Sequence, residues 1–232
     1  MSTKVIEAPQ EAPKRGKRRA LISLAASAAV LGGLAAVAPF TPVMPVRTVA
    51  VDGNHILSSE RVEELAAIPP ETPMGKVNLK DAANGVASDP WVKTVTVSRN
   101  WPSTIDVALS ERAAVAFVAE SDGTHLIDEE GADFLIADPP PEAIELVNAP
   151  VQDPEAMADV VAIAASISNR ARAAVAAIEV QPNNYVLRTV DGKRITWGAS
   201  EDNENKSYAL EAVLQMEGTE FNIVNPQLVG VK

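Results

Sequence analysis

The chain has 232 residues, 47% apolar and 22% charged, with 17 Pro, 12 Gly, no Cys and a formal net charge of -11. The apolar content excludes a wholly disordered acidic tail, and the Gly and Pro counts exclude a collagen-like or low-complexity chain. Without Cys there is no disulfide, zinc thiolate site, thiol nucleophile or lipidated cysteine, and the two histidines, His55 and His125, stand too far apart for ligand spacing and read as ordinary polar turn residues.

The charge is unevenly placed. Residues 1–19 hold Lys4, Lys14, Arg15, Lys17, Arg18 and Arg19 against Glu7 and Glu11, a net +4, so the remainder carries -15. No charge occurs from Ala20 to Val46, and Ala20 to Phe40 is almost wholly apolar or small. At a rise of about 1.5 Å per residue that run spans roughly 31 Å, one hydrocarbon thickness, and the basic cluster before it is a positive-inside flank. A buried globular helix is rarely apolar all round over this length. Ala36-Val37-Ala38 has the small-x-small form of a signal-peptidase site, so a cleaved leader competes with an uncleaved anchor. Pro39 directly after the cut and a run longer than the roughly 7–15 residues of a signal core favour the anchor, and Arg18-Arg19-Ala20-Leu21-Ile22 matches a twin-arginine signal weakly. An anchor leaves residues 1–19 in the cytoplasm and the acidic part across the membrane, a balance that argues against nucleic acid as partner.

Past the prolines at 39, 42 and 45, Val46 to Asp52 alternates as a strand and ends in the turn Asp52-Gly53-Asn54. Ser58 is placed to cap a helix over Ser59 to Ile68, stopped by Pro69-Pro70, and Asn78 to cap a second over Leu79 to Ser88. Trp91 to Arg99 and Thr104 to Glu111 alternate on either side of Asn100-Trp101-Pro102-Ser103, a hairpin. This strand-helix-helix-strand-strand order, carried by Val46 to Asn54, Pro90-Trp91-Val92, Arg99 to Ile105 and Glu111-Arg112, resembles a POTRA module; joined to the strands and acidic turn beyond Arg112, it makes the chain resemble the FtsQ/DivIB family of bacterial cell-division proteins.

Beyond Arg112, Ala113 to Val118 and His125 to Phe134 read as strands, with a hairpin turn at Asp128-Glu129-Glu130-Gly131 of a type that the family also has; Ala114 stands where the family commonly has Pro. Ala137 to Pro150 reads as a proline-rich surface loop, and Pro154 to Ala177 as an Ala-rich helical stretch capped by Asp153. Strands come next over Ala177 to Gln181, Tyr185 to Val190 and Arg194 to Trp197, then a helix from Ser200 or Asp202 to Met216 and a strand at Glu220 to Asn225 before Pro226. The expected class is α+β: a basic cytoplasmic tail over 1–19, one transmembrane helix over 20–40, a POTRA domain over 46–113, and a second mixed α/β domain with an antiparallel sheet over 114–232.

No motif for a serine nucleophile, a phosphate loop, a zinc hydrolase or a calcium loop is present, so no catalytic residue, metal or cofactor is expected. The acid clusters Asp128-Glu129-Glu130 and Glu201-Asp202-Asn203-Glu204 fall where solvated turns and helix starts use acids, and Trp91, Trp101 and Trp197 where aromatics pack on strands. The C-terminal strand is open to two readings, internal or at a sheet edge where a second chain could extend it. The family resemblance favours the edge: it implies that the terminal strand docks an FtsB-like partner, itself paired with an FtsL-like one, at Phe221, Asn222, Ile223, Val224 and Asn225, with Val229 and Val231 beyond. The family often has an aromatic or bulky polar residue where Asn225 and Lys232 stand. The resemblance implies a non-enzymatic, single-pass division scaffold at the septum that coordinates wall-synthesis enzymes. The alternatives are a secreted enzyme or ligand binder freed after Ala38, and a POTRA chaperone of an outer-membrane translocator, which lacks the lipid-facing strands it would need.

Overall fold

The computed structural model describes residues 15–182 and 184–231, without the side chains of residues 15–23. The basic tail therefore lies outside the described residues up to residue 14. Helix α1 (Arg15–Val37) runs into a single 3-10 turn, Ala38–Phe40. Leu24, Val30, Leu31, Leu34 and Val37 on α1 are all exposed. The span expected over residues 20–40 begins outside the residues whose side chains are described; among the described residues no helix is long and apolar enough to cross a membrane.

The next unit obeys the alternation read from the sequence. β1 (Thr48–Asp52), α2 (Ser59–Ala66), α3 (Leu79–Ala87), β2 (Val92–Asn100) and β3 (Thr104–Glu111) form a three-stranded sheet in the order β1-β3-β2, with both helices packed against it. β1 is parallel to β3 because two helices separate it from the hairpin, while the short turn makes β2 and β3 antiparallel. Val62, Ala66, Met74, Val86, Ile105, Val107 and Leu109 fill the core. Both expected caps form: Ser58 Oγ accepts from the Arg61 N–H, and Asn78 Oδ1 from those of Lys80 and Asp81. α2 stops short of Ile68, because Ala67 already turns left-handed (φ 47°) ahead of the two prolines. The helices cross closely at Gly85, where an added Cβ would lie 2.1 Å from the Leu65 carbonyl oxygen.

The remaining elements are β4 (Ala114–Glu120), β5 (Gly123–Asp128), β6 (Asp133–Ile136), β7 (Ile144–Val147), α4 (Pro154–Ser166), α5 (Asn169–Arg172), β8 (Val175–Gln181), β9 (Asn184–Thr189), β10 (Arg194–Gly198), α6 (Asn203–Leu214), β11 (Glu220–Asn222) and β12 (Gly230–Val231). Among the described residues they make a nine-stranded sheet in the order β12-β11-β10-β9-β8-β7-β4-β5-β6. The antiparallel sheet expected from the sequence is in fact mixed. β8 is parallel to β7, and β11 to β10, because α4 and α6 lie in the crossovers between these neighbouring strands and a helical crossover returns the chain in the same direction. β7 also runs parallel to β4, beside which it inserts after the β4-β5-β6 meander.

The largest departure is the segment 137–150. It is not a surface loop throughout, since Ile144 and Leu146 alternate inward and form β7 near the middle of the sheet. The Ala-rich helix ends at Ser166 rather than running to Ala177; Ile167 is extended and Ser168 caps the separate turn α5. Arg172 explains that break. Its guanidinium donates to the carbonyls of Ala164 (2.6 Å) and Ile167 (3.4 Å) at the end of α4, and to those of Val115 (3.3 Å) and Glu142 (3.0 Å). One side chain thus satisfies the carbonyls at a helix end and ties α4 to β4 and to the approach to β7. Below α4 and α6, Ile144, Leu146, Ile178, Leu187, Ile195, Trp197, Phe221 and Ile223 meet Val160, Ile163, Leu210 and Val213 in the second core.

Candidate functional site

The Glu111-Arg112 pair at the end of β3 faces two ways. Glu111 accepts the backbone N–H groups of His55, Ile56 and Leu57 at 2.9, 2.7 and 2.8 Å, closing the loop after β1. Arg112 pairs with Asp128 and lies 5.9 Å from the centroid of the Phe134 ring, which Trp91 meets edge-on at 5.2 Å. Lys93 on β2 reaches Glu129 (2.6 Å) and Glu130 (3.0 Å), whose hydrogen bonds raise its pKa. The first sheet is therefore fastened to the hairpin turn of the second.

The expectation of three solvated acids in that turn holds for Glu129 and Glu130 and fails for Asp128, which is only 1% exposed. Its Oδ1 accepts the N–H groups of Glu130 and Ala132, both at 2.9 Å. A turn acid can be buried when the turn itself supplies the donors. The signal in the sequence is the acid-base pair at a strand end, which marks a resemblance without revealing its partner sixteen residues on.

His125 is also more than an ordinary turn residue. Its ring sits between Asp122 (3.0 Å) and Asp133 (2.6 Å), joining β5 to the neighbouring turn and to β6. Hydrogen bonds to Asp122 first and Asp133 second raise its pKa from 6.5 to about 9. A raised folded-state pKa means that the imidazolium stabilises the fold fully below pH 6.5 and ceases to as the pH climbs through about 9. The thermal unfolding midpoint is expected to fall over that window, and H125Q to flatten this slope. An unchanged slope in H125Q would refute the assignment.

At the C-terminal edge the predicted site residues divide. Phe221 is buried and Ile223 is 0% exposed, both in the second core, with the Ile223 N–H bonded to the Thr196 carbonyl (2.9 Å). The strand is shorter than expected and is not the edge: β11 lies between β10 and β12, with Phe221 opposite Val231 and Asn222 opposite Gly230. Asn222 and Asn225 are exposed and brace the turns after them, accepting from the N–H groups of Val224 and Gln227. Val229 packs on the core, while Val224 and Val231 are exposed. Leu228, missing from the expected set, is 75% exposed. A groove of about 570 Å³ runs here between Arg194 and Thr196 on β10, Val224, Leu228 and the strand β12. No sequence period marks a two-residue strand containing Gly230, so its outermost position is not readable from the chain alone.

The tryptophans also divide. Trp197 is fully buried with its Nε1–H on Asn203 (2.9 Å), Trp91 packs at the junction, and Trp101 stands exposed at the tip of the β2–β3 hairpin.

Comparison with known proteins bears on the whole chain. Residues 44–112 match the family described as POTRA domain, FtsQ-type. The chain is 34% identical over 203 residues to the cell division protein FtsQ of Corynebacterium glutamicum, covering 86% of this chain and 91% of that one. It is 31% identical over 237 residues to the cell division protein FtsQ of Mycobacterium tuberculosis, covering 97% and 73%. Among solved structures, the major extracytoplasmic domain of the cell division protein DivIB from Geobacillus stearothermophilus aligns with a TM-score of 0.37 at 19% identity, covering 47% of this chain and 99% of that one.

Proposed function

The chain belongs to the FtsQ/DivIB family of cell-division proteins, and from that premise we propose that it is a non-enzymatic scaffold of the division machinery, held at the septal membrane by one helix. The anchor is the run over 20–40, with the basic tail in the cytoplasm and both sheets outside. The exposed leucines and valines of α1, together with the charge step across that run, support this topology. The native chain is expected to keep the mass of its full sequence, whereas cleavage after Ala38 would leave one beginning at Pro39.

The second part of the reading concerns the partner. An FtsB-like chain, paired with an FtsL-like one, adds a strand to β12, and wall-synthesis enzymes are coordinated through that complex. The observation that carries it is the outermost β12 beside a groove with exposed Val224, Leu228 and Val231. Sheet edges offer unpaired backbone groups, and apolar pockets beside them hold alternate side chains of an added strand. The opposite edge, β6, is less available because Phe134 is engaged by Trp91 and Arg112.

The partner-facing set is therefore Val224, Leu228 and Val231, with Phe221 and Ile223 holding the strand from below. L228D and V231D are expected to weaken binding of the FtsB-like partner about tenfold or more, measured by calorimetry, with the unfolding midpoint unchanged. Wild-type affinity in both variants would sink the edge-pairing mechanism. I223P is a poor test, since it removes a buried ladder donor and destroys the strand itself.

A further inference from the structure

We infer that the end of the POTRA domain nearest α1 rests on the anionic lipid surface of the membrane that α1 enters, an inference that takes the anchor reading as its premise. Three segments make up this end, residues 39–47, 71–77 and 99–103. They are tied together by backbone bonds from the Val46 N–H to the Thr72 carbonyl, from Met74 to Met44 and from Arg47 to Ser103, at 2.8 to 2.9 Å. Arg99 donates from Nε to the Met74 carbonyl (2.8 Å) and from Nη2 to that of Val77 (2.6 Å). The Phe40 ring lies against Gly75, where an added Cβ would come within 2.8 Å of it. The turn after α1 and the β2–β3 hairpin tip thus belong to one surface.

Its exposed side chains have an unusual composition for this protein. Among the described residues three aromatic side chains are exposed, Phe40, Trp101 and Tyr208, and the first two are here, beside exposed Val43. The same three segments carry the exposed cations Arg47 and Lys76 against the single acid Glu71, with the half-buried Arg99 engaged by the Met74 and Val77 carbonyls, in a chain whose net charge is -11. Tryptophan settles at the headgroup level and phenylalanine at the headgroup–acyl boundary just below it, and cations beside them are drawn to anionic lipid. α1 continues directly into the turn Ala38–Phe40, so an inserted α1 delivers this surface to the bilayer without any long linker.

Because the chain has no cysteine, single spin labels can be placed on the full-length protein. Labels at N100C beside Trp101, at L31C in α1 and at S110C near the far end of β3 are to be compared by electron paramagnetic resonance in phosphatidylethanolamine–phosphatidylglycerol vesicles. The expected result is headgroup depth at residue 100, acyl-chain depth at residue 31 and bulk solvent at residue 110. W101S, and separately R47E, should return the residue 100 label to solvent, and phosphatidylcholine alone should shift it outward. Solvent exposure at residue 100 with acyl-chain depth at residue 31 would overturn the inference while leaving the anchor intact. Solvent exposure at both would overturn the anchor as well.

Discussion

D128A is expected to lose about 1–3 kcal/mol of stability, the range for leaving hydrogen-bonding groups without their buried partner, since the carboxylate is buried while Arg112 keeps 26% of its side chain exposed. The carboxylate satisfies two turn N–H groups and faces Arg112 in a place closed to water. Without it the turn donors lose their protein acceptor and Arg112 its ion partner, leaving it the face of Phe134 and solvent. D128N should cost less, because its carbonyl oxygen still accepts from the turn. The neighbouring E129Q and E130Q, which touch only Lys93 from exposed positions, are expected to change stability by less than about 1 kcal/mol. Urea unfolding of the detergent-solubilised chain, monitored by near-ultraviolet circular dichroism, separates these cases. Equal effects from all three acids would show that the junction does not depend on burial.

G53A is expected to cost roughly 2–5 kcal/mol, combining the left-handed penalty of an L side chain with a backbone clash. Gly53 has φ +86°, and an added Cβ would stand 1.9 Å from the carbonyl oxygen of Leu109. Neither atom belongs to a flexible side chain, so relief requires β1 to move away from β3. The loop to Leu57 would also shift from the carboxylate of Glu111. The measurement is the same denaturation curve, supplemented by hydrogen exchange, which should show the loss confined to the first sheet. Wild-type stability would mean that β1 and β3 can separate at no cost.

These two residues also show what local sequence can and cannot convey. The caps at Ser58, Asn78 and Asp153 are readable because each is a bond between a side chain and N–H groups two or three residues on. The turn at Gly53 is readable as Asp-Gly-Asn, but its approach to Leu109 depends on a parallel pairing across more than fifty residues. β7 escapes a local reading because four residues between prolines carry almost no period, and its neighbours in the sheet are remote in the chain. At the candidate site, the alternation of Phe221 and Ile223 correctly signals a strand. Which face is buried, and that two later residues cover its edge, are tertiary facts.

The position of β7 has a mechanical meaning. It is a four-residue seam between two halves of the sheet: β4 to β6, fastened to the first domain through Arg112 and Lys93, and β8 to β12, which ends at the open edge. Its register with β4 covers two residue pairs and with β8 three, backed by α4 packed across both strands. Any load passed from β12 to the first domain through the sheet crosses this seam. Arg172, bonded to the carbonyls of Val115, Glu142, Ala164 and Ile167, braces that short joint where the strand ladder itself is thin.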